Sequence, residues 1–234
     1  MSIQEFTDFL DSKNYSYELI GEKINITHNR LLSLKNLKSI PPFVFFNNKG
    51  GVDLKSLEVV PEGTRFENNG DLELQSAISL PTGIIFKNRG YIALNSLEYL
   101  PDGVEFRNTV GDDLGYGKSN FINLESLKEL KEDTKFLNNG KLNIKYVNEI
   151  PPNFDFGNIT SLVALNVSAW EIPESVKFQG EMKSFYFRDF RKCHEILSYF
   201  KTLPNQNRKQ IVDILIKRGF LPPILKKWDA LHWN

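Results

Sequence analysis

Apolar positions along this chain recur with a period of twenty residues, most clearly from Val52 to Asn108. The unit is written three times: VDLKSLEVVPEGTRFENNGD, LELQSAISLPTGIIFKNRGY and IALNSLEYLPDGVEFRN. Within it, Val52 and Leu54 alternate with Asp53 and Lys55, and Leu72 and Leu74 alternate with Glu73 and Gln75. Side chains alternate across a strand, so this predicts a short strand with one buried face. Thr64 and Phe66 flank Arg65, and Ile84 and Phe86 flank Ile85, which predicts a second short strand. Gly70 and Gly90 fall between the two, at a turn that glycine serves by adopting positive φ. Ser56, Ser76, Ser96 and Ser126 mark another corner, after which Leu57 and Val60 point inward; Pro61 and Gly63 make the return turn. A repeat of this length announces a solenoid.

The landmarks extend the repeat in both directions. Coil one runs from Leu34 to Phe46, with Leu37, Ile40, Pro41 and Pro42. Coil five carries Leu124, Leu127, Leu130, Phe136, Asn138 and Gly140, with Lys131 in place of the proline. Coil six carries Ile144, Val147, Ile150, Pro151, Phe156 and Asn158. A degenerate coil seven uses Leu162, Leu165, Val167, Trp170, Ile172, Pro173 and Phe178. The expected fold is mainly β, a repeat solenoid of about seven coils over residues 23–182. Coils spaced about 4.8 Å apart give a rod about 30–35 Å long. The recurring Phe residues should stack as a spine. The recurring Asn residues should form a ladder, bonding to turn backbone and to one another.

Both ends read as helical. Ile3, Phe6, Phe9 and Leu10 have helical spacing, and Ser2 with Glu5 fits a capping box. Residues 1–22 are therefore expected to cap the first coil, with a partner-binding helix as the alternative. KINITH should be the first strand. After residue 182 the segments SFYFRDFRKCHEILSYFKTL, NQNRKQIVDILIKRG and PPILKKWDALHW read as two or three short helices, giving a small helical domain over 183–234.

Charge divides the chain where the repeat stops. The whole is neutral, but residues 183–234 contain eleven Lys or Arg against four Asp or Glu, a net of +7, which leaves −7 on residues 1–182. The basic end is a cap with a Lys-rich polar face, or a contact for nucleic acid or an acidic protein. The candidates there are Arg188, Arg191, Lys192, Arg208, Lys209, Lys217, Arg218, Lys226, Lys227 and Trp228. A second candidate surface is an insertion. Leu100 to Leu130 is one period plus ten residues, and the extra segment TVGDDLGYGKS (109–119) carries Asp112, Asp113, Tyr116 and Lys118. Such insertions project from one face and often bind; the plainer reading is a tolerated loop.

Catalytic chemistry is sparse. One cysteine, Cys193, excludes an internal disulfide and leaves no zinc-type cluster. It adjoins His194, but neighbours on a helix point different ways. No phosphate-binding loop, dinucleotide fingerprint or HExxH motif is present, so no cofactor and no metal are expected. Glu105, Lys135 and Arg65 share an outward column, which keeps a carbohydrate-active β-helix enzyme open as a reading. The acidic N-terminus lacks the marks of a secretory signal, and no run is long and apolar enough for a membrane span. The expectation is a cytoplasmic protein with no membrane contact.

The unit LxLxSLxxLPxGxxFxNxG resembles a leucine-rich repeat of the short bacterial kind, which also carries a Leu-Pro step. It departs in its asparagine: Asn68 follows Phe66 by two, where that repeat places Asn three residues after the last strand Leu. Over roughly residues 30–160 the chain is more similar to uncharacterised repeat proteins of bacteriophage and bacterial genomes built from SLxxxPxxxxFxNxG units. That resemblance implies no activity. It suggests a phage product acting inside a bacterium against a host protein. The expected function is a non-enzymatic protein-binding scaffold or inhibitor. The alternatives are nucleic-acid association through the basic helices and a carbohydrate-active enzyme.

Overall fold

A computed structural model describes residues 1–107, 120–137, 140–179, 184–189, 191–193, 195–196 and 205–227, the last segment with side chains from 210 to 225. After helix α1 (Ile3–Ser12) the strands in chain order are β1 (Tyr17–Ile20), β2 (Lys23–Ile26), β3 (Leu32–Ser33), β4 (Val44–Phe46), β5 (Val52–Asp53), β6 (Arg65–Phe66), β7 (Leu72–Glu73) and β8 (Ile85–Phe86). They continue as β9 (Ile92–Ala93), β10 (Glu105–Phe106), β11 (Phe121–Asn123), β12 (Lys135–Phe136), β13 (Gly140–Asn143), β14 (Ile159–Ala164) and β15 (Ser184–Phe187). Helix α2 (Asn205–Lys217) and a short 3-10 turn (Pro223–Lys227) follow.

The strands build a parallel β-solenoid of about seven coils. One sheet has the order β1-β2-β4-β6-β8-β10-β12 and the other β15-β14-β13-β11-β9-β7-β5-β3. Among the described residues every strand pairing is parallel except the antiparallel hairpin of β1 with β2. Registers follow the twenty-residue period, with Val52 opposite Leu72 and Leu72 opposite Ile92. Where the ten extra residues intervene, Ile122 still meets Ile92 and Phe136 still meets Phe106. The insertion thus leaves the stack in register.

A phenylalanine column runs through the core. The rings of Phe46, Phe66, Phe86, Phe106 and Phe136 stack in sequence with centroids 5.1–5.6 Å apart and planes within 10° of parallel. Phe156 and Phe178 continue it. Each fully buried ring is worth about 1.5–3 kcal/mol from burial alone, and a well-placed aromatic pair adds about 0.5–1.5 kcal/mol. Identical residues at one repeat position achieve this because the parallel register brings them face to face.

The asparagine column works differently from a ladder. Asn48 Nδ2 donates to the carbonyls of Gly50 and Gly51, and Asn68 Nδ2 to those of Gly70 and Asp71. Each of these two amides closes its own turn, whereas neither side-chain polar atom of the buried Asn88 bonds to a protein group. The Oδ1 atoms of Asn48 and Asn68 bond to no protein group, so among the described residues the expected Asn-to-Asn bonds along this column do not form. Asn158 is exposed, and the column has ended by coil six. An Asn-to-Asn bond does occur elsewhere, from Asn143 to Asn123.

The glycines at this turn also have another cause. Gly90 does adopt positive φ (130°), but Gly70 does not. A Cβ on Gly70 would sit 2.6 Å from Gly51 N and 2.9 Å from Gly50 C. The turn backbones of successive coils touch, and glycine is there for close approach. Positive φ belongs to the return turn, at Gly63, Gly83 and Gly103. Phe43 occupies the same position in coil one at φ 59°, and its ring fills the space a Gly63 Cβ would need.

At the ends the structure departs from the sequence reading. β1 pairs with β2 and extends the first sheet by a strand that the sequence reading lacked. Helix α1 forms with its Ser2–Glu5 capping box, and Phe6 and Leu10 join the same apolar cluster as Ile24 and Ile26. In coil seven, Leu165 and Trp170 are exposed rather than inward. Leu162, Ala164, Val167 and Ile172 fill the core there. Two extra residues fit into the Ser168–Glu171 turn, where Glu171 N donates to Ser168 O. Residues 184–187, read as helix, form strand β15 against β14, with Phe185 and Phe187 buried. Alternation of Phe185 and Phe187 with Tyr186 was the available signal.

Candidate functional site

Asp112, Asp113, Tyr116 and Lys118, like Trp228, lie outside the described residues. So do the side chains of Arg208, Lys209, Lys226 and Lys227, although α2 carries the first two and the 3-10 turn the last two. The other basic candidates fall into two groups. Arg188, just after β15, donates to Glu171 Oε1 at 2.8 Å and to the Asn166 carbonyl. Lys192 lies over the Trp170 ring, 5.3 Å from its centroid. These two cations are thus engaged with the seventh coil, and Arg191 is exposed beside them. The Ser168 backbone N–H and then Arg188 hold the Glu171 carboxyl below the usual range. Lys217 and Arg218 form the second group, exposed at the end of α2.

Cys193 is buried, and burial, reinforced by Asp189, pushes its thiol up to about 12. A nucleophilic cysteine needs the reverse shift. Glu105 and Lys135 pair across adjacent strands as the outward column requires, and the carboxylate also binds Arg107. Lys135 and then Arg107 hold Glu105 below the usual carboxylate range. A general acid for glycoside chemistry needs a raised value. Arg65 sits over the Phe45 ring at 4.5 Å, away from that pair. Beside Arg65 a shallow depression of about 290 Å³ is lined by Glu62, Ile85, Glu67 and Lys87, the last two paired at 2.9 Å. Among the described residues no group of three or more His, Cys, Asp or Glu could hold a metal ion, and no helix is long and apolar enough to cross a membrane.

The strongest feature is a side of the solenoid between the two sheets. In residues 57–60 the outer two are buried and the middle two exposed, and 77–80, 97–100, 127–130 and 147–150 repeat this pattern. Leu57 and Val60 anchor each end of the segment inside. Its backbone is stacked in register: Val59 bridges Ser79, Ile78 N donates to Glu58 O, Lys128 N to Glu98 O and Asn148 N to Lys128 O. The exposed pairs are therefore Glu58-Val59, Ile78-Ser79, Glu98-Tyr99, Lys128-Glu129 and Asn148-Glu149, one above the other. Val59 is 52% exposed, Ile78 60% and Tyr99 59%. They zigzag across three adjacent coils among carboxylates. In the sequence these residues are marked only by the two variable positions in SLxxLP.

No family model matches the chain, no curated protein matches its sequence, and no solved structure matches its fold.

Proposed function

We propose that this protein is a non-enzymatic protein-binding scaffold or inhibitor, and that the side carrying Val59, Ile78 and Tyr99 is its binding face. The observation that carries the reading is the exposure of three large apolar side chains on consecutive coils, at positions with no packing task. A flat, rigid, repeated surface suits a large partner better than a small substrate. In this reading α1 closes one end of the core, and the basic helical segment after β15 covers the other. The resemblance to phage and bacterial repeat proteins supports a bacterial cytoplasmic setting and a host protein as target, without naming it.

A second reading, nucleic-acid association, is favoured by the exposed cations Arg191, Lys217 and Arg218. One experiment separates the two: affinity capture from bacterial lysate, with and without nuclease, at low and high salt. The binding reading expects a defined protein retained in every arm. Recovery of nucleic acid alone, lost at high salt, would overturn it and assign the function to the basic helices. The carbohydrate-enzyme reading gains little support, since Glu105 is committed to two cations.

A further inference from the structure

Helix α2 and the residues after it carry the complement of the binding face. Val212, Ile216, Leu221 and Leu225 are buried, so α2 is docked by one side. On the other, Ile214 is 48% exposed and Phe220 56%. Ile214 stands three and four residues before Lys217 and Arg218, so the three share one helical face. Both cations are exposed and, among the described residues, join no ion pair. The solenoid side offers Val59, Ile78 and Tyr99 with two exposed carboxylates, Glu58, which joins no ion pair among the described residues, and Glu98, which pairs with Lys128. One surface is apolar and acidic, the other apolar and basic. The sequence carries the same division, −7 on residues 1–182 and +7 on 183–234.

We propose that copies of this chain associate head to tail, the α2 face of one lying on the Val59–Ile78–Tyr99 side of the next. The inference rests on the reading that this side binds protein, and adds its occupant. Spacing supports it: coils repeat about every 4.8 Å and helical turns about every 5.4 Å, so successive turns can sit beside successive coils. Lys217 and Arg218 then face Glu58 and Glu98 while Ile214 and Phe220 meet the apolar residues. Val59, Ile78 and Tyr99 remain exposed with α2 in place on its own chain. The two surfaces differ, so the contact is not a self-complementary two-fold one. Each added copy leaves one of each surface free, and assembly proceeds to open chains or rings.

Sedimentation of the full chain over a range of concentration tests this, with two variants, Ile78→Lys and Lys217→Glu/Arg218→Glu. All three positions are exposed, and circular dichroism checks that the fold is kept. The wild type should show mass rising with concentration, weakening at least about tenfold between about 0.1 M and 1 M salt as screening shortens. Each variant alone should remain monomeric. Mixed in equal amounts they should give a discrete dimer, because the intact side of one and the intact helix of the other still match. A wild type that stays monomeric, or mass growth that survives both variants, would overturn the proposal. If it is overturned while Ile78→Lys still abolishes capture of a foreign protein, the binding reading stands and only the occupant is wrong.

Discussion

The phenylalanine column and the Glu58–Tyr99 side are built from the same coils, yet they vary in opposite ways. Inside, Phe46, Phe66, Phe86, Phe106, Phe136 and Phe156 repeat without exception, because each ring is the packing surface of the next. Outside, the two exposed positions change from coil to coil: Glu-Val, Ile-Ser, Glu-Tyr, Lys-Glu, Asn-Glu. Both columns are stacked in register, so geometry does not account for the difference. Folding requires uniformity of the first and leaves the second free. In a solenoid, function is therefore sought where the repeat is broken on a rigid frame, and repetition itself marks structure.

Substitutions can test that division, and the expected effects fall in order. Phe86→Ala removes a ring stacked on both sides and should cost about 3–5 kcal/mol in denaturant unfolding. A loss under 1 kcal/mol would show that the column is not what holds adjacent coils together. Gly70→Ala places a methyl against the backbone of Gly50 and Gly51, which cannot move aside without shifting a coil. Its cost should be about 1–3 kcal/mol, read as a lowered urea midpoint. Asn68→Ala leaves the Gly70 and Asp71 carbonyls without their donor and should cost about 1–2 kcal/mol.

The Glu105 pairing should be worth about 1 kcal/mol or less, since both cations are largely solvated. Its pH dependence has a defined sign. Lys135 and then Arg107 hold the folded carboxyl below the usual carboxylate range. Its contribution is complete above the unfolded value and is lost as pH falls through the folded one. Glu105→Gln should therefore narrow the gap to wild type as the solution is acidified through that range. A gap that widens with acid would contradict the pairing. Smallest of all, Ile78→Lys should leave stability within about 0.5 kcal/mol of wild type.

Much of the architecture was legible because parallel stacking converts a sequence period directly into a spatial column. Val52, Leu54, Phe66 and their repeats read as inward and are buried. The register of coil five across the insertion was legible too, since Leu124, Leu127 and Phe136 keep their mutual spacing. What the pattern hid was non-repeating. β1 belongs to no coil, and its antiparallel pairing with β2 turns at Gly21. Ser184–Phe187 looked helical because the charged residues after it dominate the window, although the Phe-Tyr-Phe alternation is that of a strand. The role of Gly70 depends on the distance between coils, which one coil's sequence does not contain. The candidate face was visible only as two variable positions per unit. Their exposure becomes meaningful once Leu57 and Val60 are seen to pin the segment from both ends.

The central claim is that the inward columns hold the fold while the Val59–Ile78–Tyr99 side meets protein. Its most direct test is to measure thermal midpoint and captured proteins in the same preparations of wild type, Ile78→Lys and, next to β8 on the seven-stranded sheet, Lys87→Ala. The account predicts matching midpoints for wild type and Ile78→Lys, with the captured protein lost only in Ile78→Lys. The same proteins retained by all three, or loss only in Lys87→Ala, would contradict it.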